Sequence, residues 1–428
     1  MLLRAATGTR CAAAAAVLSR QRVATLSTSS YGDRAGTRLQ KAPDEREFVS
    51  ELNFIAYDDV PLFRIMDEDG VIVSEAFDPT SVVDEAEAVK MHETMVRVSV
   101  MDQILYDAQR QGRLSFYMTS GGEEATHVGV ASALEPQDQV YAQYREQGVL
   151  MYRGFTFEQF CNQCTSNMLD PAKGRQMPVH YGSRELNYHT ISSPLTTQLP
   201  QAVGTAYAQK LEGQDAVTCC FFGDGAASEG DFHAALNIAA TTKSPVIFFC
   251  RNNGYAISTP VEEQMASDGI VARGPAYGIP ATRVDGNDIW AVRAAVASAR
   301  EMALSGEGGP VLIEAITYRV GHHSTSDDSL RYRQQGEMQF WKEQDNPILR
   351  TRLYLTQKGW YSEERELEYR AVCRKEVLSA LAAAEKAPKL PADNMFDDVY
   401  DVLPRHLQEQ RAEVQARIKK YPDAFKVH

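Results

Sequence analysis

From about residue 84 the chain alternates between two hydrophobic rhythms. In EAEAVKMHETMVRVSVMDQILYDAQRQG the apolar positions recur at spacings of three and four and stop at Gly112, predicting one long amphipathic helix. AVTCCFF (Ala216–Phe222) and PVIFFCRN are continuous apolar runs, as in strands covered on both faces. QVYAQY, ATRVDG and PVLIEAITYRV read as further strands. Helical spacing fills the intervals, in FTFEQFCNQCTSNML, LPQAVGTAYAQKLEG, EGDFHAALNIAATT and DIWAVRAAVASAREMALSG. Strand, helix and parallel strand in series predict a doubly wound α/β fold over residues 85–335, with ligands at the carboxyl edge of a parallel sheet.

The flanks differ from this core. Residues 33–84 carry Pro43, Pro61 and Pro79 among short apolar pieces, and read as an extended arm packed on another surface. Residues 336–428 turn helical and highly charged. Residues 1–32 hold Arg4, Arg10, Arg20 and Arg22, many Ala and Ser, and no acid before Asp33. That composition predicts a mitochondrial transit peptide and a matrix location, with a plain polar tail as the alternative.

Composition narrows the partners. The formal net charge is −13, against binding along a nucleic-acid backbone, which requires surplus Lys and Arg. No apolar run approaches the roughly 20 residues that span a bilayer. Seven cysteines are few for a disulfide framework in 428 residues. Cys161 and Cys164 form a CxxC, but it falls within a helical pattern and has no second pair to complete a zinc site.

The sharpest chemistry lies between the two apolar strands. One ends in Gly223-Asp224-Gly225 and the next in Arg251-Asn252-Asn253-Gly254-Tyr255. Asp224 and Asn253 are 29 residues apart (253 − 224), one strand–helix–strand unit, so both stand at the carboxyl edge. Mg²⁺ takes oxygen ligands and shares itself with phosphates. The Asp224 carboxylate, the Asn253 amide oxygen and the Tyr255 carbonyl are such ligands. Gly223 and Gly225 let backbone approach a diphosphate, and the following helix offers free N–H groups. GDG alone is also an ordinary turn; joined to CRNNGYAIST it resembles the cofactor motif of thiamin-diphosphate enzymes.

The resemblance extends further. AQYREQGVLMYRG, KGRQMPVHYG, ISSPLTTQLPQAVG, GDGAASEGDFHAALNIAAT, FFCRNNGYAIST, GIPATRVDGND and TYRVGHHSTSDD resemble successive segments of the alpha subunits of the branched-chain 2-oxo acid dehydrogenase decarboxylase component, from about residue 50 to the C-terminus. This resemblance implies cofactor contacts at Tyr144, Arg145, Ser193, Leu195, Gly225, Ala226 and His323. Arg251 would be a second cation on the diphosphate, and Glu229 would continue its loop. It also implies a substrate pocket at Gln143 and Tyr144, and a structural K⁺ site at Ser192, Pro194, Thr197 and Gln198. His323 would assist decarboxylation and acyl transfer as the catalytic residue, with His322 a structural neighbour; His180 is open to either reading. Ser324 matches an inhibitory phosphorylation site, whereas the family's second such site is Gln334 here.

The same resemblance implies an oxidative decarboxylation of branched-chain 2-oxo acids with reductive acylation of a lipoyl domain, the 3-methyl-2-oxobutanoate dehydrogenase reaction. No carboxylate suggests itself for the pyrimidine half of the cofactor. A beta subunit in an α₂β₂ tetramer, a lipoyl-bearing acyltransferase core, and a regulatory kinase and phosphatase are the implied partners. The pyruvate dehydrogenase alpha subunit is the nearest alternative. A catalytically silent scaffold would lack some of Arg145, Asp224, Arg251, Asn253 and His323, and all five are present.

Overall fold

A computed structural model describes residues 59–306 and 308–425. The expected leader (1–32) and the first part of the expected arm (33–58) lie outside the described residues.

Two fully buried strands, β4 (Thr218–Gly223) and β5 (Val246–Asn252), form the centre of the molecule. Around them run β1 (Leu62–Phe63), β2 (Gln139–Tyr141), β3 (Tyr188–His189), β8 (Ala281–Asp285) and β9 (Val311–Ile316), while β6 (Tyr255–Ala256) and β7 (Thr259–Pro260) form a separate hairpin. The main sheet has the order β1-β8-β9-β5-β4-β2-β3, and every neighbouring pair is parallel. Side chains alternate across it. Phe221 and Phe249 face the helices Glu85–Arg110 and Ile289–Leu304; Phe222 and Phe248 face the helices Gln198–Leu211 and Gly230–Thr242. Each buried Phe contributes about 1.5–3 kcal/mol relative to exposure, so truncating Phe221 to Ala would cost about 3–5 kcal/mol.

The long helix begins where Asp84 caps it, its carboxylate accepting the Glu87 N–H at 2.9 Å, and the chain turns at Gly112 with φ +77°. The expected strand QVYAQY is shorter, ending at Tyr141, and two helices that the periodicity does not announce follow the first one, Glu124–Ala133 and Gln147–Tyr152. Residues 59–84 lie against this same domain. Strand β1 extends the sheet, and Ile65 and Met66 are fully buried, their N–H groups both donating to Asp288 at 2.7 Å. The helix Glu363–Lys386 adds Cys373, Val377 and Leu381 to the core cluster of Phe221 and Phe249, so this helix is packed into the domain, whereas the helix Arg405–Lys420 buries none of its residues. Among the described residues no helix is long and apolar enough to cross a membrane.

Candidate active site

Strands β4 and β5 run in register from Thr218 opposite Val246 to Gly223 opposite Arg251. Asp224 and Asn253 therefore leave adjacent strand ends. Asp224 is buried, and its carboxylate accepts the Gln264 side-chain amide at 2.8 Å. Burial raises its proton affinity above the ordinary carboxylate range, opposed by that hydrogen bond. Asn253 donates to Glu123 at 3.1 Å while its amide oxygen accepts the Tyr255 N–H at 3.3 Å. The Tyr255 carbonyl accepts from Arg319 at 3.4 Å. Gly225 permits this closeness: a Cβ there would lie 2.6 Å from the Cβ of Ala256 in the hairpin. Ala226 is buried and Glu229 is exposed.

The segment Gln143-Tyr144-Arg145 is gathered by a residue that sequence reading passed over. One oxygen of Glu146 accepts the N–H groups of Gln143, Tyr144 and Arg145 at 3.0, 3.0 and 2.9 Å, and the other accepts Arg251 Nε at 2.5 Å. Arg251 also donates to Glu123, and its remaining nitrogen lies 3.5 Å from the Gln143 side-chain oxygen. Burial lowers the Arg251 affinity for its proton, but Glu146 and Glu123 together more than reverse this. In place of a cation free for a diphosphate, Arg251 is a buried ion triad with two carboxylates.

The open positive charge lies elsewhere. Arg145 is buried and donates to the Thr119 carbonyl at 2.6 Å, the His323 carbonyl at 2.6 Å and His323 Nδ1 at 3.1 Å. Arg319, also buried, donates to the Ile257 carbonyl at 2.7 Å and the Tyr332 hydroxyl at 3.1 Å, and approaches His323 Nδ1 at 3.3 Å. Its Nε has no partner. Neither guanidinium has a carboxylate partner among the described residues. An anion with several oxygens is the group that would satisfy both.

These arginines also decide the state of His323. Two guanidinium groups facing Nδ1 make that nitrogen the acceptor, which leaves the proton on Nε2. Burial, then Arg145 and Arg319, pull the imidazole down to about 3, so it is neutral at physiological pH. Its loop is pinned by Asp327, which accepts the His323 N–H at 2.7 Å and the Tyr332 hydroxyl at 2.5 Å. Tyr144 meets the His323 ring edge-on at 6.2 Å. His322 points into the loop instead, its Nδ1 accepting the Ser329 N–H at 3.1 Å. Ser324 is half-buried, and its hydroxyl accepts the Ser326 N–H at 3.2 Å.

The sequence that builds this arrangement matches a known family. A model described as "Dehydrogenase E1 component" matches residues 92–393. The chain belongs to the dehydrogenase E1 component family. It is similar to mitochondrial 2-oxoisovalerate dehydrogenase subunit alpha of Caenorhabditis elegans, 54% identical over 382 residues and 88% of either chain. The Dictyostelium discoideum protein of that name is 56% identical over 367 residues, 86% of this chain and 82% of its own. The Homo sapiens one is 50% identical over 382 residues, 89% of this chain and 85% of its own.

In this E1 chain the remaining expected residues collect on the loop before the helix Gln198–Leu211. Thr197 donates to the Pro194 carbonyl at 3.1 Å and lies 3.4 Å from the Ser192 hydroxyl. Gln198 donates to the Phe221 carbonyl at 3.0 Å, tying the loop to β4. Thr196 holds φ +67°, so the turn is strained for a β-branched residue. Leu195 is 38% exposed, and Ser193 is exposed with its hydroxyl 2.5 Å from His180 Nε2, which ties His180 to this loop. Among the described residues no cluster of three His, Cys, Asp or Glu could hold a metal. The Asp–Asn–carbonyl set still fits Mg²⁺, a hard cation that needs oxygens and few charges. Cys161 and Cys164 are buried helix thiols, raised by burial, Cys164 to about 11.

Proposed function

We propose that this chain is the alpha subunit of a mitochondrial branched-chain 2-oxo acid dehydrogenase, in the thiamin-diphosphate-dependent decarboxylase component. One observation supports this most: Arg145 and Arg319, without carboxylate partners among the described residues, converge on a neutral His323 beside the Asp224–Asn253 strand ends. Thiamin diphosphate, when bound, supplies the carbanion chemistry of decarboxylation. Asp224, Asn253 and the Tyr255 carbonyl would hold Mg²⁺, with Gly225 and Ala226 against the diphosphate. Arg145 binds that anion. Ser193 and Leu195 would meet the cofactor rings, and Ser192, Pro194, Thr197 and Gln198 would hold K⁺.

The protein residues then have defined work. His323 keeps its proton on Nε2 and offers it to the oxygen where charge develops, while the arginines fix the ring. Gln143 and Tyr144 border the substrate side chain. Glu123 and Glu146 are both engaged by Arg251, and the kinship with alpha subunits supports assigning the carboxylate required on the pyrimidine side to a beta subunit across an α₂β₂ interface. A lipoyl domain of the acyltransferase core would be the acyl acceptor, its disulfide opening to one thioester and one thiol. Phosphate on Ser324 adds about −1.5 to −2 charge beside Asp327 and the diphosphate, and repulsion displaces the loop. A kinase and a phosphatase acting on Ser324 would make this a switch.

The test is decarboxylation by the chain co-expressed with its beta subunit, given thiamin diphosphate and Mg²⁺. The substrates are 3-methyl-2-oxobutanoate, 4-methyl-2-oxopentanoate and pyruvate, and the control is Asp224→Ala. The expected result is a branched-acid preference lost in the variant. A preference for pyruvate would overturn the substrate assignment, and full activity in Asp224→Ala would overturn the metal site.

A further inference from the structure

The loop that carries His323 and Ser324 leaves β9 and returns at the helix Gln335–Glu343, which the mechanism above does not use. Both of its ends take hold of one residue. At the near end Arg319 donates to the Tyr255 carbonyl at 3.4 Å. At the far end the Tyr255 hydroxyl donates to Glu337, 3.1 Å from one carboxylate oxygen and 3.2 Å from the other. The far end is further fastened by Trp341, stacked on Tyr318 at 5.3 Å and 5°. Tyr318 in turn meets the Tyr255 ring edge-on at 6.2 Å. Arg333 lies against the Tyr255, Tyr318 and Tyr332 rings at 5.6, 5.3 and 5.9 Å, closing the group.

We propose that Glu337 is a positioning residue for the metal-binding turn, holding Tyr255 by its hydroxyl so that the Tyr255 carbonyl faces the cation. The inference rests on the reading of Tyr255 as a Mg²⁺ ligand. Gly254 at φ +86° gives the turn rotational freedom next to Tyr255. A carboxylate bond to the far end of the Tyr255 side chain removes that freedom. Because Glu337 sits on the helix that ends the loop, cation affinity and the seating of that helix are linked, and each must strengthen the other equally.

The assembled α₂β₂ enzyme tests this by Mg²⁺ titration at fixed thiamin diphosphate, followed by Trp341 fluorescence with Trp341→Phe as the blank. Glu337→Ala raises the Mg²⁺ midpoint roughly ten- to hundredfold, the worth of one hydrogen bond to a charged group. Glu337→Gln, which keeps an acceptor oxygen, falls between it and the wild type. Tyr255→Phe gives the same shift as Glu337→Ala, and the double variant gives no more than either. Wild-type midpoints in Glu337→Ala, or additive shifts in the double variant, would overturn the proposal. Asp224→Ala separates it from the site reading: if that variant titrates like the wild type, the metal site itself is misplaced and the proposal falls with it.

Discussion

Arg350 and Arg145 are both buried guanidinium groups near the carboxyl edge of the same sheet, and their surroundings are opposite. Arg350 lies among three carboxylates, Asp285 at 2.8 Å, Asp345 at 3.3 Å and Asp288 at 3.9 Å, and it also donates to the Met66 carbonyl. It thereby joins the end of β8, the start of the helix Ile289–Leu304, the residues after β1 and the helix Pro347–Gln357. Arg145 has two carbonyl oxygens and an imidazole nitrogen. Burying a charge is costly unless an opposite charge accompanies it. The Arg350 cluster meets that cost internally and is a tie between segments. Arg145 and Arg319 have no such carboxylate among the described residues, and in the function proposed above an incoming anion would supply the compensation. Arg251, beside the same site, belongs to the first kind, with Glu123 and Glu146 as its standing partners.

The contrast can be broken most directly at the group that both open arginines address. His323→Ala should lower decarboxylation by roughly 10²–10⁴-fold, the usual contribution of a positioned proton donor or acceptor. The same variant should melt near the wild-type temperature, and a rate within threefold of wild type would remove His323 from the chemistry. Next in size, Arg350→Met should destabilise the assembled enzyme by about 3–5 kcal/mol, because it strands buried carboxylates. Thermal melting reads that loss, while cofactor affinity in the folded fraction stays unchanged. Arg145→Met should behave in reverse, weakening thiamin diphosphate binding by roughly 10–100-fold, as expected for a lost charged hydrogen bond. Its cofactor-free form should melt no lower than wild type. Equal melting losses in the two variants would erase the distinction.

Much of this was legible in the residues, and the illegible parts have physical reasons. The apolar runs of β4 and β5 announced the sheet, and GDG with RNNGY marked its carboxyl edge. Reading Arg251 as a second cation for the diphosphate took no account of its counter-charges, because these are set by the fold: Glu123 and Glu146 come from 128 and 105 residues away along the chain. QVYAQY was read too long because the Glu146 carboxylate collects the N–H groups of residues 143–145 and draws them out of the ladder. The helix Glu124–Ala133 was missed because a short EATHVGVASA segment buried nearly all round has no polar stripe. Gly129 within it is needed for packing, since a Cβ there would lie 2.7 Å from Val292. Arg319 lies within TYRVGHHSTSDD but received no role from that segment; its contact with His323 Nδ1 depends on how the chain folds back after β9.

The smallest effect expected concerns acidity. Burial comes first in holding His323 down to about 3, and Arg145 and Arg319 follow. In Arg319→Gln one of the two charges is gone, so the imidazole gains affinity for a proton and its value rises toward the ordinary 6.5. The acid limb of kcat/KM against pH in the holoenzyme should therefore move to higher pH, with only a few-fold change near pH 8, where the ring is neutral in both proteins. The stability linkage has a definite sign. Between about 6.5 and about 3 the unfolded chain binds a proton at this position and the folded chain does not. Stability from this position is thus lost as pH falls through that window, and the window narrows in Arg319→Gln. An acid limb that stayed in place, or moved to lower pH, would mean that Arg319 does not act on His323 through its charge, and the pairing of Arg145 with Arg319 as one open site would be wrong.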